Sequence, residues 1–500
     1  MDSGDIRFSM SLMPGKAISD DTSDLLDPRS LLRRRSIFSG LAILSGTLIS
    51  TLTLSAAFTG YGPAARSRVE PFYSHVSRPE GICIGVDGRR VSSWSGHIGL
   101  KSDSDRKPKG SFFWLFEAEN DAANAPVVLT FGGGPGTSGM VNPVLGQSHC
   151  IVTPNGTVAN PNRWTEKFNL LALDHPIGVG FSYGTKVNNS RAAAEDVYDF
   201  LQRFLRLFPH LAKNQLVISS GSYGGTYVPH VATVIKERNI ALANGHDQAS
   251  AVHINLESLI LSNPISDALS HYRWLLHYRC VEADVYDSTT CRELYSALSA
   301  CLESIALAYE DLTVESRDAI MHLCYQTLDR GDTHDTLIED VRPKCNMTED
   351  VASCYPEFDW LRAFFNNPTT KDELGVPSHV GYMSEDVYND FVAVGDRIHP
   401  HHLLYERLFQ DGIRLLHYIG ARDASCAWPG VLSFLKLFRT PFQQDFIHAA
   451  DMPWPSEDIA TVRSVGKGAG GMTFIKVAEA GHFVRRTLPA GRCPYDDFRV

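Results

Sequence analysis

Residues 216–238 constrain this chain more than any other stretch. Leu216-Val-Ile218 is a short apolar run of β-formers, and Tyr227 to Arg238 has the pattern of a helix. Between them lies Ser219-Ser-Gly-Ser222-Tyr-Gly-Gly225, small at nearly every position. A buried strand, a sharp turn and a helix would hold Ser222 in a strained backbone conformation above a sheet edge. Ser220 stands two positions before Ser222 and Gly224 two after, so the motif is Ser-x-Ser-x-Gly instead of Gly-x-Ser-x-Gly. Serine is small enough for the turn to close. The motif is short, and a plain or phosphate-type glycine turn also fits it.

A serine hydroxyl attacks a carbonyl only when a base removes its proton, and the base needs an acid to orient it. Tyr418-Ile-Gly-Ala-Arg-Asp423 places an aspartate just after an apolar run. Ala480-Gly-His482 places a histidine in a loop after Met472–Val477. Ser222, Asp423 and His482 follow the order Ser, Asp, His. Gly132-Gly-Gly-Pro-Gly136 follows the strand-like Val127–Phe131 and supplies small residues whose N–H groups can face a developing oxyanion. The expected donors are the N–H groups of Gly134 and Tyr223. The run lacks the Lys-Ser/Thr ending and Gly-x-Gly-x-x-Gly spacing of phosphate loops.

Phe112–Phe116, Leu170–Asp174, Leu259–Leu261 and Gly412–Ile419 read as further strands, and Ala192 to Leu207 as a helix ended by Pro209. Alternation of this kind predicts a mostly parallel sheet covered on both faces. Residues 268–380 break the pattern and read as an inserted helical lid. Six of the ten cysteines fall between 280 and 354, which suggests disulfides in an oxidising compartment. No Cys-x-x-Cys or Cys/His ligand spacing occurs, so no metal is expected, and no motif calls for a cofactor. Asn155, Asn188 and Asn346 each open an N-glycosylation sequon.

The ends of the chain refine the setting. Residues 1–35 read as a polar cytoplasmic tail ending in three arginines. Residues 36–61 read as a transmembrane signal anchor, or a cleaved signal peptide, and 62–80 as a linker. The catalytic domain is expected over 81–500, in the secretory-pathway lumen, the vacuole or outside the cell. The net charge of −11, without a long basic run, argues against nucleic-acid binding. Oligomeric state is not readable.

Five ordered blocks resemble the serine carboxypeptidase family (peptidase family S10). They are Phe131-Gly-Gly-Gly-Pro-Gly-Thr-Ser138, Leu173-Asp-His-Pro-Ile-Gly-Val-Gly-Phe-Ser-Tyr183, Ser222-Tyr-Gly-Gly-Thr-Tyr-Val-Pro229, Asp423 to Gly430, and Ala480-Gly-His482. The resemblance runs from about Cys83 to the C-terminus. It implies an α/β-hydrolase fold with a helical insertion, the triad above, and hydrolysis of C-terminal residues from peptides. An esterase or acyltransferase acting on an acyl substrate, or a non-catalytic scaffold, are the competing readings.

The departures bear on substrate. The family's peptidases grip the substrate's C-terminal carboxylate with an asparagine and two glutamic acids. The resemblance places Gly132, Gly221 and Gly146 or Gln147 at those positions. Gly132, Gly133, Gly221 and Cys426 are expected around the substrate pocket. Thr137 replaces a family cysteine, so one family disulfide should be missing. Arg422, or a lid lysine or arginine, could supply a replacement grip on an anion.

Overall fold

In the computed structural model, the described residues are 74–484 apart from 89, 102–106, 247–249, 330–335, 343–353, 377–380 and 467–470. The expected tail 1–35, the apolar segment 36–61, linker residues 62–73 and the sequon at Asn346 lie outside them. The strands are β1 (Ser74–Ser77), β2 (Ser93–Gly99), β3 (Lys109–Phe116), β4 (Val127–Thr130), β5 (Cys150–Thr153), β6 (Gly156–Ala159), β7 (Asn169–Leu173), β8 (Tyr183–Gly184), β9 (Leu216–Gly221), β10 (Leu256–Ser262), β11 (Arg414–Gly420), β12 (Met452–Pro453), β13 (Ala460–Val465) and β14 (Met472–Val477). All but β5 and β6 join one sheet in the order β1-β2-β3-β7-β4-β9-β10-β11-β14-β13-β12, with β8 beside β3. The centre, from β7 to β14, is parallel; both flanks are antiparallel.

Every residue of β4 and β7 is buried. Such continuous apolar runs are what a sheet covered on both faces requires. Helices α1 (Ser190–Leu207) and α2 (Gly224–Ala243) pack together on one face. On α1, Val197, Phe200, Leu201 and Phe204 point into the core at helical spacing, and Asn189 caps its start by accepting from Ala192 N at 2.9 Å. The described residues belong to one unit, Ala64–Val500, and the domain begins earlier than expected. Residues 74–77, inside the expected 62–80 linker, form an edge strand paired with β2. Their polar composition hides a strand because only Val76 packs against the core.

The insertion between β10 and β11 is helical, as expected. It contains α3 (Ala268–His277), α4 (Ser288–Glu310), α5 (Val314–Ile320), α6 (Pro356–Asn366) and α7 (Pro368–Leu374), followed by α8 (Glu385–Ala393) and α9 (His402–Gln410). Disulfides Cys280–Cys291 and Cys301–Cys324 staple it, and Cys354 is also disulfide-bonded. A further bridge, Cys83–Cys150, ties the N-terminal loop to β5. Thr137 holds its place by backbone alone. It pairs with Met383 in a β-bridge, flanked by Ser138 N donating to Tyr382 O at 2.8 Å and Ser384 N donating to Gly136 O at 2.8 Å.

Several histidines are buried in neutral form. Burial pulls the pKa of His175 and His417 down to about 3, and those of His149 and His271 down to about 4. The unfolded chain protonates these rings below about pH 6.5, whereas the folded chain resists until the lower values. Burial raises the Asp174 pKa to about 6 against hydrogen bonds led by that from Ser138, and it lifts Asp196, Asp396 and Glu339 as well; these acids work in the opposite sense. Seven histidines with lowered pKa outnumber them among the described residues. The melting temperature should therefore be highest near neutral pH and fall as pH drops from about 6.5 to about 4. A scan by circular dichroism across that window checks this; a flat profile would contradict it.

Candidate active site

The sharp turn after β9 forms as the sequence predicts. Ser222 follows β9 with φ of 56°, a left-handed conformation that costs a non-glycine residue about 1 kcal/mol or more. The structure over-determines it. Ser222 N donates to Ser262 O at 3.0 Å and Asn263 O at 3.2 Å, while Ser222 O accepts from Gly225 N and Ile265 N. Ser220 Oγ donates to Phe131 O at 2.8 Å and leaves no room for a side chain at residue 224, where a Cβ would stand 2.2 Å from that hydroxyl. Ser220 thus closes the turn in place of the usual glycine.

Strands β9, β10, β11 and β14 are successive parallel neighbours, so their C-terminal ends open on one sheet edge. Neighbouring strands are about 4.8 Å apart, and short loops can span three such intervals. Asp423 follows β11 and His482 follows β14. His482 Nδ1 and Asp423 Oδ2 lie 2.7 Å apart, with the carboxylate fully buried and the imidazole nearly so. Burial alone would lower the His482 pKa. The Asp423 carboxylate and the Cys426 thiol overcome that and hold it well above its ordinary value.

Asp423 is satisfied at both oxygens. Oδ1 accepts from Ser425 N at 2.7 Å and Cys426 N at 3.0 Å; Oδ2 accepts from Asn263 Nδ2 at 2.6 Å besides facing His482. Asn263 is a site residue that sequence reasoning missed. Its φ is 42°, its carbonyl meets Ser222 N, its Oδ1 accepts from Gly420 N at 3.1 Å, and its amide reaches Asp423. The available signal was a polar Asn-Pro pair at the end of a buried strand. The Ser222 hydroxyl makes no hydrogen bond to His482 among the described residues. Contacts of this type often tighten only with substrate bound.

The insertion braces the same loops. Glu339 O accepts from His482 N at 2.7 Å, Ile338 O from Ala424 N at 2.7 Å, and Arg422 O from Val341 N at 3.0 Å. Tyr278 Oη donates to Ala421 O at 2.6 Å, and Arg279 Nε to Ala424 O at 2.8 Å. Residues expected only to cover the site therefore also hold the Asp423 and His482 loops in place. Glu339 too was missed; burial raises its pKa, opposed chiefly by the nearby His482.

Gly133 sits over the nucleophile. A Cβ there would stand 2.9 Å from Ser222 Cβ and 3.0 Å from Tyr223 N, which brings the Gly133–Gly134 peptide beside the serine. Cys426 is a buried free thiol whose sulfur lies within 4.8 Å of the donor atoms of Asp423 and His482, and burial pushes its pKa up. Arg422, one candidate for an anion grip, is engaged at the surface by Glu479 at 2.6 Å. Gln147 is buried, and its Oε1 finds no hydrogen bond.

A family model described as Serine carboxypeptidase matches residues 85–491. Carboxypeptidase Y homolog A of Neurospora crassa is 31% identical over 440 residues, covering 84% of this chain and 74% of that protein. The homolog of Leptosphaeria maculans is 28% identical over 438 residues, covering 84% and 75%. Among solved structures, the Saccharomyces cerevisiae prohormone-processing carboxypeptidase Kex1(delta)p superposes with a TM-score of 0.67 at 20% identity, over 82% of this chain and 92% of that one; this likeness concerns the fold.

Two expectations follow from the geometry. Asn263→Ala removes a donor to a buried carboxylate, a bond of about 1.5–3 kcal/mol, and should lower turnover by roughly 10- to 100-fold with the fold retained. Unchanged kcat in a folded variant would show that Asn263 does not support Asp423. At Gly132 a Cβ would meet Thr137 O at 2.1 Å, whereas at Gly221 the nearest atom, Ser262 O, is 3.1 Å away. Gly132→Asn should therefore lower the melting temperature by several degrees more than Gly221→Glu. Equal thermal shifts would mean that the glycine loop yields freely.

Proposed function

Because the chain belongs to the serine carboxypeptidase family, we propose that Ser222, His482 and Asp423 are the catalytic triad of a serine carboxypeptidase-like hydrolase. The observation that carries this is the 2.7 Å contact between a buried aspartate and a histidine at the sheet edge where a serine is held at positive φ. Ser222 Oγ attacks the scissile carbonyl carbon, and His482 Nε2 takes the hydroxyl proton. Asp423, on Nδ1, fixes the ring and stabilises the imidazolium that forms. The tetrahedral oxyanion is received by the N–H groups of Gly134 and of Tyr223, the latter at the N-terminus of α2. Collapse expels the leaving amine, which accepts the proton from His482. Water then attacks the acyl-enzyme carbonyl while His482 takes its proton, and His482 returns that proton to Ser222 Oγ as the Oγ–acyl bond breaks and the acid product leaves. Neutral imidazole is required at each attack, so the enzyme works only where His482 is deprotonated, and Asp423 moves that range upward in pH.

Gly132, Gly133, Gly221 and Cys426 would line the substrate pocket. Gly132 carries no side chain and the Thr137 carbonyl fills the space one would take, so the family's asparagine grip on a terminal carboxylate has no counterpart there. This favours, as a second reading, an esterase or acyltransferase that uses the same acyl-enzyme. Disulfides in the catalytic domain support work in an oxidising compartment, with 36–61 as an anchor or cleaved leader. No helix among the described residues is long and apolar enough to cross a membrane. Asn155 and Asn188 are exposed and suit glycosylation.

A fluorophosphonate probe on the purified chain tests the triad. Labelling should disappear in Ser222→Ala, and His482→Ala should lower turnover of blocked dipeptides by roughly 10³-fold or more. Labelling that survives Ser222→Ala would refute the nucleophile assignment. Equal cleavage of free-acid and amidated dipeptides would move the reading from exopeptidase to the esterase or acyltransferase.

A further inference from the structure

Three arginines are deeply buried among the described residues, and one of them lacks a carboxylate. Arg279 pairs with Asp329 at 2.9 Å, and Arg463 with Asp451 at 2.7 Å. Arg397 is 9% exposed and has no carboxylate oxygen within 4.0 Å among the described residues. Its guanidinium stacks on Tyr325, 3.4 Å from the ring centroid, and Nη2 donates to Tyr272 Oη. Its Nε is buried and makes no hydrogen bond. Neighbouring acids are committed elsewhere. Asp396 accepts from Ser190 N at 2.8 Å, Ser190 Oγ at 2.5 Å and Tyr223 Oη at 2.9 Å, while Asp329 serves Arg279. Aromatic faces and a phenol soften a buried cation but do not neutralise it.

This cation sits near the proposed chemistry. Tyr223 follows Ser222 in the chain, and its phenol reaches the residue next to Arg397. His271 lies within electrostatic reach of both Arg397 and Asp423, and its Nε2 is likewise buried without a partner. Tyr325, on which the cation stacks, is half-buried, and the half-buried Tyr388 lies within electrostatic reach of Tyr325. The enclave combines aromatic walls, a desolvated guanidinium with a free N–H, and an imidazole nitrogen without a partner within electrostatic reach of Asp423. Carboxylates are the natural complement of such a fork.

We propose that Arg397 is the anion-recognition residue of the substrate pocket, accepting a substrate carboxylate that is either the free C-terminus or an acidic side chain flanking the scissile bond. The proposal rests on Ser222 being the nucleophile. It also answers what holds an anionic substrate once the asparagine and glutamate positions carry none of those side chains: a permanent cation does so without needing protonated acids.

The test compares kcat/KM for blocked dipeptides in two matched pairs, free acid against amide and Glu against Gln before the scissile bond, on the purified full chain. The wild type should favour the anionic member of at least one pair by roughly 10-fold or more, chiefly through KM. Arg397→Met should bring that ratio towards one, and Arg397→Lys should keep part of it. Collapse of the acid/amide ratio identifies the C-terminus as the source; collapse of the Glu/Gln ratio identifies the side chain. A wild type without preference in either pair overturns the proposal, as do ratios unchanged in Arg397→Met. If Arg397→Met does not fold, the ratios in Arg397→Lys decide: weakening supports the proposal and identity with wild type overturns it. Fluorophosphonate labelling separates the two levels. An unlabelled wild type sinks the triad and this proposal together, whereas labelling with unchanged ratios sinks only the role of Arg397.

Discussion

A buried carboxylate holds this site together. Asp423 is withdrawn from water and would be costly to keep charged without donors. It has two backbone N–H groups, the Asn263 amide and the His482 ring. Each donor comes with a constraint. The backbone donors shape the loop that carries the aspartate, Asn263 locks that loop to the serine turn, and His482 is set by the oxygen that remains. Because Asn263 Oδ1 also accepts from Gly420 N and its backbone carbonyl accepts from Ser222 N, this one residue couples three parallel strands at their common edge. A carboxylate solvated by water would impose none of this, since solvent would adjust to any loop position.

The insertion contributes to the same rigidity. Its backbone at Ile338, Glu339 and Val341 zips onto the aspartate and histidine loops, and Tyr278 and Arg279 hold the aspartate loop from the segment just after α3. Disulfides within the insertion limit how far those supports can move. At Gly132 the Thr137 carbonyl stands where a side chain would be, and Thr137 is itself fastened to Met383 by backbone pairing.

Much of this was legible before any coordinates. The serine turn, the buried strands and the capped helix α1 are local features, dictated by periods of two and 3.6 and by small residues at a tight turn. Asp423 and His482 could be picked because loops after strands keep their order along the chain. Asn263 was missed, since its importance depends on which strand lies beside which, and the Asn-Pro pair at the strand end does not reveal that. Residues 74–77 looked like linker because an edge strand needs only one apolar contact. Glu339 was hidden in a cysteine-rich segment whose path depends on long-range packing.

The sequence by itself determined the chemistry available: a serine in a strained turn, an aspartate and a histidine in matching loops, and glycines at positions 132 and 221. Only the tertiary structure decided which buried charges are balanced. Arg279, Arg397 and Arg463 are equivalent letters in a sequence, yet two find an aspartate and one finds tyrosines. Pairing of charges depends on distance and desolvation, and neither is set until strands and helices distant in the chain have packed together.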